Sequence, residues 1–302
     1  MKEKNKFFLV LKGSKKTIFL IKRIKKIFSN SKIILIDKDK NCVAKNYAHK
    51  FINVDSENLQ KIYKNISKKN LFMCITRSSG PSSVIALKIN HMIGFQKPNI
   101  NLINKIISKY YISRFCKINK MKFIKTSYIK IKSKLDYPLV IKSDIEKQGK
   151  WNVFLIKNKN KFKKYFKTAR LLSYNKKVVS QEYIEGFDIT VCGYIDNNKF
   201  VLKRLYKEKN QFTKFGSIIH SGFFPINFYK KKKYFNSIES DIDKIIEKLN
   251  LKLTPVNFNF RVSKDQKNVY LNELNFFFGG EKLMENDYDL VTPYLKFLKK
   301  FY

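Results

Sequence analysis

Acidic residues are scarce in this chain: 23 Asp and Glu stand against 64 Lys and Arg in 302 residues, a formal net charge of +41. Taken alone, that imbalance favours polyanionic partners such as nucleic acid, nucleotides or anionic membrane surfaces. No basic arm is present, however. The lysines run the whole length of the chain beside abundant Asn and Ile, the composition that A/T-rich codons deliver. Most of the charge therefore reads as compositional bias. A recognition-helix signature and an aromatic RNA-binding motif are both missing, which sets nucleic-acid binding behind other readings. Cysteine is sparse as well. Cys42, Cys74, Cys116 and Cys192 lie far apart with no C-x-x-C pair, which argues against a disulfide framework or a zinc site and fits a reducing compartment. Long apolar runs are absent. Residues 7–11 are too short for a signal-peptide core and nothing reaches the length of a membrane span, so the expectation is a soluble, cytoplasmic protein. There is no internal repeat and no low-complexity linker.

What is present is enough for real cores. Apolar residues make up 44% and aromatics 15%, which excludes disorder as the default. Over the first hundred residues, apolar runs at 7–11, 32–36 and 71–76 alternate with stretches of helical spacing such as Ile18, Ile21, Ile24 and Ile27. Strand, helix, strand, helix, strand predicts a small parallel sheet covered by helices. In such sheets ligands sit beyond the carboxyl ends of strands, here Asp37 and the turn at Arg77–Ser79. A basic helix over 104–122 then leads to strands at 137–142 and 151–156, a helix at 159–172 and a strand at 177–181, an order that suits an antiparallel lid. Strands at 189–195 and 200–206, an irregular segment through His220, a helix at 234–249 and closing strands at 256–262 and 269–275 complete the pattern. The aromatic-rich stretch 293–302 is expected to be packed core.

Four local features carry possible chemistry. Lys142 ends an apolar strand, where a cation would neutralise phosphate oxygens. Gln181-Glu182-Tyr183-Ile184-Glu185-Gly186-Phe187-Asp188 breaks a strand into a glycine-containing connection flanked by acids. Period-2 alternation puts Asn257, Asn259 and Arg261 on one strand face, and Glu273 and Asn275 on one face of the next. Hard oxygen ligands of that kind suit Mg²⁺, which takes its remaining ligands from phosphates and water. Finally, Phe276-Phe277-Phe278 runs into Gly279-Gly280, a packed strand end followed by a close backbone approach. Singly, each also reads plainly as a solvated lysine, a polar turn, the wet face of an edge hairpin and core packing.

In this order and spacing, the segments resemble the ATP-grasp superfamily, in particular the branch that includes biotin carboxylase and carbamoyl-phosphate synthetase. The resemblance covers nearly the whole chain. It implies an α/β protein in which residues 1–103 form an N-terminal sheet domain and residues 104–302 a two-lobed ATP-grasp domain, with a lid from 128 to 181. It further implies that Lys109 and Lys142 contact the phosphates, and that Gln181 and the 182–184 hinge (Glu182, Tyr183, Ile184) face adenine. Asp188 would face the ribose, and Asn259, Glu273 and Asn275 would hold Mg²⁺ or Mn²⁺. The implied activity is that of a ligase: a substrate carboxylate is phosphorylated by ATP to an acyl phosphate, which an amine or similar nucleophile then captures. The partners are small molecules, with no membrane, and proteins of this kind often form homodimers.

The sequence also departs from the pattern. Residues 143–150 hold only Gly149 where several glycines are usual, Asn259 stands where an acid or Gln is commoner, and Phe277 occupies the place of an arginine. Arg261 or Arg204 is the candidate replacement cation, and His220, in a His-Ser-Gly segment resembling one in carbamoyl-phosphate synthetases, is a candidate for the second step. A catalytically silent ATP-binding protein is therefore the alternative, with basic nucleic-acid binding third.

Overall fold

A run such as Phe7–Leu11 has no polar alternation, so both faces must be covered, and a parallel sheet between helices does this. The computed structural model describes residues 6–67, 70–146, 153–213, 217–226, 234–278 and 289–302, the side chains of Phe212 and His220 excepted. Strands β1 (Phe7–Leu11), β2 (Lys32–Asp37), β3 (Lys50–Asn53) and β4 (Leu71–Thr76) form a parallel sheet in the order β3-β2-β1-β4. Helix α1 (Lys15–Ile27) covers one face with Leu20, Ile21 and Ile24; α2 (Leu59–Asn65) and α3 (Pro81–Met92) cover the other with Ile62, Ile85 and Ile89. The expected strand-helix alternation is thus present, with one addition. β3 has a single buried residue, Ile52, too little apolar signal to stand out in sequence.

Helices α4 (Ile100–Ile106) and α5 (Lys109–Ile118) lead to the lid. Its strands β5 (Thr126–Tyr128), β6 (Leu139–Ser143), β7 (Val153–Ile156) and β8 (Val178–Glu182) pair antiparallel in the order β5-β8-β6-β7. Helix α6 (Phe162–Leu171) lies on one side, burying Phe162, Tyr165, Phe166 and Ala169 against Ile141, Phe154 and Ile156.

The largest sheet is antiparallel: β9 (Gly186–Asp196), β10 (Lys199–Phe212), β11 (Ile218–Pro225), β12 (Thr254–Ser263) and β13 (Val269–Asn275), in the order β11-β10-β9-β12-β13. Helix α7 (Tyr234–Leu249) packs Ile238, Ile242, Ile245 and Ile246 against one face, where Ile189, Val191, Phe258, Phe260 and Leu274 point. The opposite face has two zones. Cys192, Tyr194 and Tyr206 pack with Phe278 and with α8 (Val291–Leu298) in the core shared with β1 and α1. Further along the same strands, Asp188, Thr190, Glu208, Asn259 and Glu273 are polar and lie under the lid. The stretch 293–302 is core, as expected: Tyr294 and Leu298 are fully buried, and the Tyr302 ring meets Phe28 at 4.8 Å and Phe72 at 5.0 Å. α8 therefore packs with the N-terminal sheet although it lies within the 104–302 unit read from sequence.

β10 and β11 differ from expectation. The predicted strand at 200–206 extends to Phe212, and the segment through His220 is a regular strand paired with it, with a register shift at Lys209/Asn210. Lys207-Glu208-Lys209-Asn210-Gln211 has no apolar member to reveal a strand, because its inward side faces a polar cavity.

Candidate active site

A cavity of about 300 Å³ lies between the lid and the large sheet. Lys109, Lys142, Glu146, Gln181, the 182–184 hinge, Asp188, Glu208, Arg261 and Glu273 line it. The structure thus brings most of the sequence-predicted residues to one place. β6 carries Lys142 into the cavity floor at 4% exposure, where its Nζ donates to Asn272 Oδ1 at 2.8 Å, tying lid to β13. Burial, and then the Lys109 charge beside it, push its pKa down to about 7. Lys109 opens α5, because the Ser108 hydroxyl accepts the Tyr111 N–H as an N-cap. Its Nζ pairs with Glu146 Oε1 at 3.0 Å. Burial opposes its charge, but Glu146, Glu273 and Asp144 outweigh burial and its pKa is raised.

Asp144 was not legible as a site residue, yet it fixes both lysines. It is fully buried, accepts from Ser108 Oγ (2.6 Å), Tyr110 N–H (3.1 Å), Tyr128 Oη (3.0 Å) and Asn175 Nδ2 (2.7 Å), and its carbonyl accepts the Lys109 N–H. The end of β6 is thereby clamped to the start of α5. An Asp two residues beyond a strand lysine gives no sequence signal of this kind.

The hinge is shaped by β12. Gly186 begins β9 with φ +153°, and a side chain there would collide with the Val262 carbonyl. Arg261 donates from Nε (3.0 Å) and Nη2 (2.9 Å) to the Ile184 carbonyl and from Nη1 to Asp188 Oδ1 (3.2 Å). Asn210 Nδ2 donates to the other Asp188 oxygen at 2.7 Å. Arg261, a candidate replacement cation in the sequence, thus holds the hinge as well as lining the cavity. The Glu182 N–H is in the β5 ladder, donating to the Lys125 carbonyl at 3.1 Å, so that backbone donor is not turned to the cavity. Gln181 is buried, its Nε2 donating to Thr126 Oγ1 at 2.9 Å. Arg204 is exposed and lines no part of the cavity. Its position on β10 opposite Cys192 places it beyond the polar zone. Phe277 is buried. The His220 side chain and Gly149, Gly279 and Gly280 lie outside the described residues.

Asn259 and Glu273 are directly opposed across β12 and β13, as are Asn257 and Asn275. Asn275 Nδ2 donates to Glu273 Oε1 at 3.0 Å, so these two side chains share one face as the alternation predicts. Asn259 lies beneath them at 6% exposure. Among the described residues no group of three or more His, Cys, Asp and Glu gathers as a metal site. One carboxylate and two amides, all hard oxygen donors, nevertheless fit Mg²⁺, which demands few protein ligands when phosphates supply the rest. Glu208, unforeseen from sequence, is buried beside them.

A second cleft of about 590 Å³ opens towards the N-terminal sheet, lined by Lys12, Asp37, Asp55, Glu57 and Ser79 together with Lys109, Glu146, Glu273 and Asn275. Lys109, Glu146 and Glu273 line both spaces. Asp37 and Ser79, at the strand ends where a ligand was expected, thus line a cleft that meets the first cavity at Lys109, Glu146 and Glu273.

The chain has the ATP-grasp fold. No protein-family model and no curated protein matches it by sequence. Solved structures do match by shape. An L-amino acid ligase from Bacillus licheniformis has a TM-score of 0.74 at 13% identity, over 98% of this chain and 74% of that one. An N5-carboxyaminoimidazole synthetase from Staphylococcus aureus, complexed with ADP, has 0.71 at 13% identity, over 98% and 78%. A biotin carboxylase–beta-gamma-ATP complex from Campylobacter jejuni has 0.68 at 14% identity, over 96% and 70%.

Proposed function

We propose that this protein is an ATP-dependent ligase that phosphorylates a substrate carboxylate and passes the acyl group to an amine or similar nucleophile. The observation that carries the reading is the junction of the two spaces. A cavity with a hinge at one end and two buried lysines at the other meets a second, larger cleft at Lys109, Glu146 and Glu273. ATP would lie between the sheets, its base at the hinge and its phosphates at Lys142 and Lys109. Glu273, Asn275 and Asn259 would hold Mg²⁺, whose chemistry there is to neutralise charge on the β- and γ-phosphates. The carboxylate, entering from the second cleft, attacks the γ-phosphorus; the bond to the β-phosphate oxygen breaks and ADP leaves. The nucleophile then adds to the acyl carbon and phosphate departs. Positioning and charge stabilisation dominate such a transfer, which agrees with a site whose described residues hold no nucleophile–base pair. The lid keeps water from the acyl phosphate. Incubating the protein with Mg·ATP and panels of carboxylic acids and amines should give phosphate release that requires both co-substrates.

A catalytically silent nucleotide-binding protein is the second reading. The specific observation favouring it is that Lys109 is already paired with Glu146, Arg261 with Asp188, and position 277 is a buried Phe. It predicts Mg·ATP binding with no ADP release for any pair in the panels.

A further inference from the structure

Glu208 belongs to β10, two strands away from Asn259 on β12, yet the two side chains touch. Asn259 Nδ2 donates to Glu208 Oε1 at 2.7 Å and lies 2.9 Å from Thr190 Oγ1 on the intervening strand β9; the Thr190 hydroxyl in turn donates to Glu208 Oε1. All three are buried, at 4%, 1% and 6% exposure. This closed triangle settles which way the Asn259 amide faces. Glu208 Oε1 is the acceptor for both neighbours, so the NH₂ end of Asn259 faces Glu208. The single Thr190 proton is spent on Glu208, so Thr190 accepts from that same NH₂. The donor end is thus fixed on the β9 side of β12, and the carbonyl oxygen is left for the β13 side, where Glu273 is the cross-strand partner.

We propose that Glu208 is a positioning residue for the metal side of the site. It locks the Asn259 amide with Oδ1 towards Glu273 and supplies, from a different strand, the buried negative charge that an asparagine at 259 does not bring. The inference rests on the ATP-binding reading above. It concerns how an amide is made serviceable as an oxygen ligand: unheld, an Asn side chain presents NH₂ as readily as oxygen, and NH₂ repels a cation. Partners that orient a metal ligand are worth roughly 10–100-fold in metal affinity.

The test is calorimetric binding of ATP to the native full-length chain and its variants, with Mg²⁺ and with a chelator in its place. Glu208→Gln keeps the shape and an acceptor but removes the charge and lets the amide turn. Its Mg·ATP affinity should fall roughly 10–100-fold while metal-free ATP binding, relieved of a negative charge in the cavity lining, does not fall. The exchanged pair Glu208→Gln with Asn259→Asp keeps one donor and one carboxylate and needs no amide orientation; it should recover most of the loss. Each variant's far-UV spectrum and unfolding midpoint are compared with native, and the exchanged pair carries the test if the single variant does not fold. The proposal is overturned if Glu208→Gln weakens ATP binding equally with and without Mg²⁺, if it changes neither, or if the exchanged pair stays as weak as the single variant. If the native chain binds no nucleotide at all, the underlying reading fails and this inference fails with it. Native binding with an unaltered variant sinks the inference alone.

Discussion

Lys142 shows how one residue's surroundings set its task. With burial and Lys109 holding its pKa down at about 7, well below an ordinary lysine, it is largely neutral at pH 8 in the nucleotide-free protein. A phosphate chain at the site favours the cation, so binding must raise the pKa and draw in a proton. ATP binding at pH 8 should therefore take up a proton, seen as a calorimetric enthalpy that varies with the buffer's ionisation heat. Affinity should fall as pH rises above 7, and little uptake should occur at pH 6, where Lys142 is already charged. Lys142→Arg, which cannot deprotonate, should abolish the uptake. At this scale the sequence was legible where a residue type and its spacing carry the chemistry. Lys109, Lys142, Asp188 and Glu273 all line the cavity. It was not legible where a role depends on contacts made by folding. Arg261 turned to the hinge, and Glu208 and Asp144 acquired roles from strands and helices remote in the chain.

Among the elements, the joint between β6 and α5 is the one that carries both buried lysines. Asp144 gathers a hydroxyl from the α5 cap, an α5 backbone N–H, Tyr128 from β5 and Asn175 from the turn before β8. Asp144→Ala leaves those buried donors without an acceptor and should cost about 3–5 kcal/mol in chemical denaturation. ATP affinity should drop as well, because Lys109 and Lys142 lose their common anchor. Asp144→Asn keeps acceptor oxygen and should cost less on both counts. The legibility of elements followed the same physics. β1, β2 and β4 are buried on both sides and announce themselves as apolar runs. β3 is short, and the far half of β10, residues 207–211, faces a polar cavity, so its alternation carries no hydrophobic signal.

Two features belong to the molecule as a whole, a shared core and a large net charge. Core residues of the large sheet, Cys192, Tyr194 and Tyr206, share one cluster with β1, α1 and α8. Phe297, stacked on Tyr194 at 4.8 Å, sits in that seam. Phe297→Ala should therefore lower stability by about 3–5 kcal/mol, measured as a single shift of the whole unfolding transition. The second feature is the net charge of +41. Non-specific polyanion binding through exposed lysines would weaken steeply with salt, in proportion to the phosphates neutralised. ATP held, as proposed, by buried Lys109 and Lys142 would be screened far less. Mg·ATP affinity should thus change only modestly between low and physiological salt, while any binding of nucleic acid should collapse. The measurement that bears most directly on the central claim is calorimetric titration of Mg·ATP into the native protein, Lys142→Ala and Glu273→Ala. The proposed nucleotide site predicts saturable binding at one site per chain, lost in Lys142→Ala and stripped of its Mg²⁺ dependence in Glu273→Ala. Absence of binding by the native chain, or equal binding by all three proteins, would contradict it.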